Sequence, residues 1–177
     1  MRVGFVGLGN VGSKLAGSLL RNAHELTVFD LDARKVDEFV ALGARRAHDA
    51  AALMRDNDVV ITCLPSPEVC RATVAEMLPE VRGGKTWMEM STTDVRVMKT
   101  LAQKVQAAGG SVVECPVSGG CHRADTGNIS IFAGCDRASF ERVLPLLTTL
   151  GRRVLHTGEI GTASVLKVMT NYLATAN

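Results

Sequence analysis

The run Gly7-Leu8-Gly9-Asn10-Val11-Gly12 leaves the backbone bare at the spacing of a phosphate-binding turn. In such a run the first glycine permits a tight turn, and the second lets the main chain approach a pyrophosphate. The third lets the next helix pack closely on its strand, while that helix's free N–H groups and positive end face the phosphates. Asp30 follows at about the 20-residue spacing of an acid that accepts hydrogen bonds from an adenosine ribose. Its charge repels a 2′-phosphate, so the run favours NAD. Arg34, within reach of a phosphate, keeps NADP open. Two more loops, Leu64-Pro65-Ser66-Pro67 and Ser91-Thr92-Thr93-Asp94, follow apolar runs at the strand ends where open α/β sheets place ligands. Thr92 is the better candidate for cofactor contact, whereas Ser66 and Thr93 serve equally well as helix N-caps.

Two further groups carry chemistry. Ser118-Gly119-Gly120 joins a hydroxyl to two successive glycine N–H groups, which suits a carboxylate, though a plain glycine turn has the same composition. Lys167 and Asn171 lie one turn apart on a final helix expected over residues 161–177, about 25 Å long. Ser164 shares their face, and Val165, Leu166, Val168, Met169, Tyr172 and Leu173 share the other. A solvated face ordinarily carries several charges, so one lysine among small polar residues reads as the wall of a cleft. A lysine near its free pKa of about 10.4 is a poor base at neutral pH; desolvation or a nearby positive charge would make it a better one. His122 reads as a solvated loop histidine.

The elements that must position these groups alternate along the chain. Strands are expected at residues 3–6, 26–29, 45–47, 59–63, 86–90, 111–115, 129–133 and 154–155. Helices are expected at 10–22, 33–42, 66–78, 94–108 and 137–149, with a short one after residue 47. Short apolar strands separated by helices argue for a doubly wound, mainly parallel sheet, because parallel strands need crossovers. Residues 1–160 read as a dinucleotide-binding domain and 161–177 as the start of a long interdomain helix.

Composition excludes several classes. The 177 residues are 46% apolar and 21% charged, with 20 basic and 18 acidic residues giving a net charge of +2. The charges are mixed rather than striped and aromatics make up only 4%, which speaks against nucleic-acid binding. No apolar run reaches about 18 residues, so no membrane helix is expected. The five cysteines include no CxxC pair and suggest neither a disulfide framework nor a metal site; Cys63 reads as core. A cytoplasmic protein without a secretory leader is the expectation, since a patterned strand begins at Arg2-Val3.

The chain resembles the β-hydroxyacid dehydrogenases, the group of 3-hydroxyisobutyrate dehydrogenase, tartronate semialdehyde reductase and related semialdehyde reductases. Residues 4–12 are similar to that family's amino-terminal signature. Val59 to Pro65 and Ser91-Thr92 are similar to its cofactor loops, Pro116 to Gly120 with Gly127-Asn128 to its substrate loop, and Gly161 through Lys167 to Asn171 to its catalytic helix. The resemblance implies a Rossmann-type fold and an NAD(P)-dependent 3-hydroxyacid dehydrogenase or semialdehyde reductase. Ser118, Gly119 and Gly120 would hold the substrate carboxylate, and Lys167 would be the acid–base group. Asn171 would orient lysine or substrate, and Leu64, Pro65 and Thr92 would touch the cofactor.

Departures from the pattern include Thr170 at the first place of a common Asn-Asn pair and Ala163 in place of a common glycine. A 6-phosphogluconate dehydrogenase would want a histidine where Thr170 stands, and imine reductases lack the lysine. The resemblance also implies a homo-oligomeric intact enzyme whose all-helical second domain is absent here. This chain is then expected to be roughly the first three-fifths of such an enzyme, binding NAD(H) with little turnover. A non-catalytic dinucleotide-binding module, used for assembly or regulation, is the alternative.

Overall fold

The structure is a computed structural model that describes residues 1–176; Asn177, the last residue of the expected final helix, lies outside them. Strands β1 (Val3–Val6), β2 (Leu26–Phe29), β3 (Arg45–Arg46), β4 (Val59–Thr62), β5 (Thr86–Glu89) and β6 (Ser111–Glu114) pair parallel, in the order β3-β2-β1-β4-β5-β6. Between them run α1 (Gly12–Arg21), α2 (Ala33–Ala41), α3 (Ala50–Asp56), α4 (Pro67–Met77) and α5 (Val95–Ala107). The chain winds outward from β1 to β3, then returns to lay β4 on the other side of β1. That reversal puts the ligand-binding crevice of a doubly wound sheet between β1 and β4.

Beyond β6 the pattern changes. A short β7 (Val117–Ser118) and α6 (Gly120–Asp125) precede β8 (Ser130–Gly134), α7 (Arg137–Leu150), β9 (Arg153–Gly158) and α8 (Thr162–Ala176). β8 runs antiparallel to both β6 and β7, meeting β6 at the pair Glu114–Gly134, and β9 is parallel to β8. Neither β7 nor α6 is expected from the sequence. A two-residue strand carries no period, and a helix that starts on two glycines lacks the usual N-cap signal. His122 therefore sits in α6 and not in a loop.

All four residues of β1, β4 and β5 are buried, as strands covered on both faces should be. Successive side chains feed two cores. Phe5, Ile61, Met88 and Val113 pack beneath α1 and α7, while Val6, Val60, Trp87 and Val112 pack beneath α3, α4 and α5. Cys63 departs from its core reading: it is half-buried. The described residues contain no helix long and apolar enough to cross a membrane.

Candidate functional site

Five helices start on a side-chain cap. Asp32, Asp49, Ser66, Asp94 and Asp136 accept N–H bonds at the starts of α2, α3, α4, α5 and α7. Ser66 thus acts as a cap, taking the Val69 N–H at 3.3 Å. At α5 the cap is Asp94 and not Thr93, whose buried hydroxyl has no partner among the described residues. α1 and α6 have no side-chain cap and no acid in the first turn. Both open onto one cavity of about 870 Å³ at the carboxyl ends of the strands. Uncapped helix starts leave N–H donors free for an anion.

The glycine turn explains the α1 end. Gly7 has φ +95°, and a Cβ on it would strike the Cys63 carbonyl across the β1–β4 seam. A Cβ on Gly12 would strike the Gly7 carbonyl, so α1 can approach its strand only without one. Gly9 differs: a Cβ there meets nothing within 4 Å, because the residue faces open space in the cavity wall. The open space at the Gly9 backbone leaves room for a ligand to approach the main chain. A pyrophosphate fits it, and a dinucleotide fits the cavity.

Asp30 grips the loops around this turn. Its Oδ2 accepts the Leu8 N–H at 2.6 Å and its Oδ1 the Asp32 N–H at 2.8 Å. The exposed guanidinium of Arg34 donates to both oxygens of Asp32, at 3.1 and 3.0 Å. That hydrogen bonding holds the Asp32 carboxyl below its ordinary pKa. Lys35 on α2 borders the same end of the cavity.

On the far side, the β4 and β5 loops are tied together. Ser91 Oγ accepts the Leu64 N–H at 2.7 Å, and the Ser91 N–H donates to Glu89 Oε1 at 2.7 Å. Glu89 is buried at 1% exposure, and its Oε2 lies 2.5 Å from Thr62 Oγ1 and 3.2 Å from Cys70 Sγ. Trp87 Nε1 donates to the same threonine oxygen at 2.8 Å. Burial raises the Glu89 pKa against the pull of these hydrogen bonds. A protonated Glu89 can donate to Thr62, whose own proton then faces the Met88 carbonyl at 3.4 Å.

Of the residues singled out from sequence, Gly7, Gly9, Asn10, Val11, Gly12, Asp30, Leu64, Pro65, Thr92, Gly120 and Lys167 all line the cavity. Leu8 borders an adjoining recess with Asp32 and Arg34. Ser118 and Gly119 immediately precede Gly120; the two glycines have φ +134° and +74°, a backbone shape other residues rarely adopt. Lys167 is half-buried, and desolvation lowers its pKa. Asn171 is exposed one turn further on. The apolar face of α8 is not covered: Val165, Val168, Met169, Tyr172 and Leu173 are each at least half exposed, while Ala163 and Ser164 are buried. The sequence reading missed Glu89 and Glu114. The signal for the acids was a lone carboxylate closing an apolar strand, in β5 and again in β6.

A sheet reversed at β1–β4, a bare glycine cradle and an uncapped helix above it define a dinucleotide-binding domain. The chain belongs to the family of NAD-binding domains typified by that of 6-phosphogluconate dehydrogenase, which it matches over residues 2–158. It is 31% identical over 172 residues to the mitochondrial 3-hydroxyisobutyrate dehydrogenase of Drosophila melanogaster, covering 97% of this chain and 53% of that protein. It is also 31% identical to the cytokine-like nuclear factor N-PAC of Homo sapiens, over 96% of this chain and 31% of that protein. The structure of Mycobacterium tuberculosis 3-hydroxyisobutyrate dehydrogenase with L-serine superposes with a TM-score of 0.94 at 27% identity. That match covers 98% of this chain and 60% of the other. The chain thus spans between about a third and three-fifths of the proteins it matches.

Proposed function

We propose that this domain serves the NAD-dependent interconversion of a small 3-hydroxy acid, of the 3-hydroxyisobutyrate kind, and its semialdehyde, with Lys167 as the acid–base group. The observation that carries the reading is that Lys167 lines the same cavity as the glycine turn and Gly120. The turn, Asp30, Leu64, Pro65 and Thr92 hold the cofactor. The charge of Asp30 beside the turn repels a 2′-phosphate, so NAD is preferred over NADP. Bound NAD supplies the hydride acceptor for oxidation, and NADH the donor for reduction. Ser118, Gly119 and Gly120 hold the substrate carboxylate at the open start of α6.

Burial favours the neutral amine of Lys167, as a base requires. In oxidation it takes the hydroxyl proton; in reduction it returns that proton to the carbonyl oxygen. Asn171 orients the lysine or the substrate. Residues 1–160 form the dinucleotide domain, and α8 begins the helix that links it to the rest of an oligomeric enzyme. In the intact enzyme, Lys167→Ala should leave NADH binding, read by fluorescence, unchanged and cut turnover of 3-hydroxyisobutyrate by about 10²–10⁴-fold. Turnover undiminished in that variant would contradict the assignment.

A second reading is a dinucleotide-binding module without turnover, serving assembly or regulation. The equal similarity to a protein named as a nuclear factor favours it. NADH binding by the intact protein that carries this domain, with no turnover across a panel of short 3-hydroxy acids, would decide for this reading.

A further inference from the structure

Helix α8 takes its cap from across the fold. Glu114, the last residue of β6, reaches the start of α8 and is 1% exposed there. Its Oε2 accepts the Gly161 N–H at 2.6 Å. Its Oε1 accepts the Ser164 N–H at 2.9 Å and also the Ser164 hydroxyl. An anion against a positive helix end is favourable, and hydrogen bonds to a charged acceptor are the stronger kind.

The corner is shaped around this contact. Gly134, paired with Glu114 across β8, has no room for a side chain: a Cβ there would stand 2.8 Å from Glu114 Oε2. Gly161 has φ +102°, and a Cβ on it would stand 2.7 Å from Lys99 Cε on α5. The start of α8 is thus held between β6, β8 and α5. Ser164 and Lys167 are three residues apart and share a helix face, so the residue bonded to Glu114 sits directly below the lysine. Glu114 also roots the substrate turn, because the chain continues from it through Pro116 to Ser118, Gly119 and Gly120.

We propose that Glu114 is a positioning residue that locks the first turn of α8 to the root of the Ser118-Gly119-Gly120 turn and so holds Lys167 against the cavity. The proposal rests on the reading of Lys167 as the acid–base group. Glu114→Gln keeps the shape but presents an amide NH₂ to N–H donors. Hydrogen exchange at the Gly161 and Ser164 amides should speed up by about tenfold or more, while NADH affinity stays within about threefold.

The titration midpoint of Lys167, followed by NMR after ¹³C reductive methylation, should rise toward that of a free lysine as the side chain moves into water. Glu114→Asp, which restores the charge, should recover part of both effects. Ser164→Ala removes one bond and should reproduce a smaller version, which covers the case that Glu114→Gln does not fold. Unchanged amide exchange and an unchanged Lys167 midpoint in these variants would overturn the lock alone. Turnover surviving Lys167→Ala would overturn the acid–base reading on which its functional meaning depends.

Discussion

Glu89 and Glu114 stand side by side in the β5–β6 register, and each is 1% exposed, yet they brace different halves of the site. Glu89 gathers donors from β4, α4 and the β5 loop, all inside the packed domain, and through Ser91 steadies Leu64. Glu114 accepts from the start of α8, a helix whose outer face is apolar and exposed among the described residues. The cofactor half is therefore a closed network that the domain completes by itself. The lysine half is one helix held at its base, where Glu114 caps the first turn and Ala163 and Ser164 are buried. Position in the sheet is the same; what differs is whether the partners belong to the core.

The largest expected effect breaks the closed network. Glu89→Ala leaves Cys70 and the Ser91 N–H buried without their acceptor and takes from Thr62 its shortest hydrogen bond, which should cost about 3 kcal/mol in urea unfolding at neutral pH. A loss below about 1 kcal/mol would mean that the two corners are equally loose.

A subtler effect concerns pH. Burial raises the folded pKa of Glu89 above the unfolded value of about 4.3. Between those two values the folded protein holds a proton that the unfolded chain has released. Its contribution to stability is fully present below the window and is lost as pH rises through the folded pKa. Glu89→Gln has no proton to lose, so its unfolding midpoint should vary less than that of the wild type from pH 4 upward. Parallel profiles would show that Glu89 ionises as freely in the fold as outside it. The smallest effect belongs to the outer face of α8. Met169→Ser should change stability by less than about 0.5 kcal/mol, because the side chain is 55% exposed. A cost near that of a core residue would show that this face is packed.

These contrasts track what could be read from sequence. The glycine turn was legible because its meaning is local: three glycines, a strand before and a helix after. Lys167 was legible because one charge among small polar residues interrupts an otherwise uncharged helix. The two acids were not, since a carboxylate closing an apolar strand means little until its partners are known. Those partners lie 27 residues away for Glu89 and Thr62, and 50 for Glu114 and Ser164. Of the polar face of α8, Lys167 lines the cavity, whereas Ser164 is buried against Glu114 and Asn171 is exposed. The apolar face of α8 is the exposed side among the described residues, because Ala163 and Ser164 are what the sheet takes in. α6 was invisible for a local reason: two glycines at positive φ signal a turn, and only the structure shows a helix beginning on them.

The central claim is that the bare backbone at Gly9 is a cradle for the NAD diphosphate. NADH titration of Gly9→Ala beside the wild type, with thermal unfolding of both, tests it most directly. A Cβ at Gly9 touches nothing in the protein, so the unfolding temperature should hold or rise slightly. NADH affinity should fall by about tenfold or more, because the added carbon stands where the phosphates approach. Equal NADH affinity in a folded Gly9→Ala protein would contradict the account.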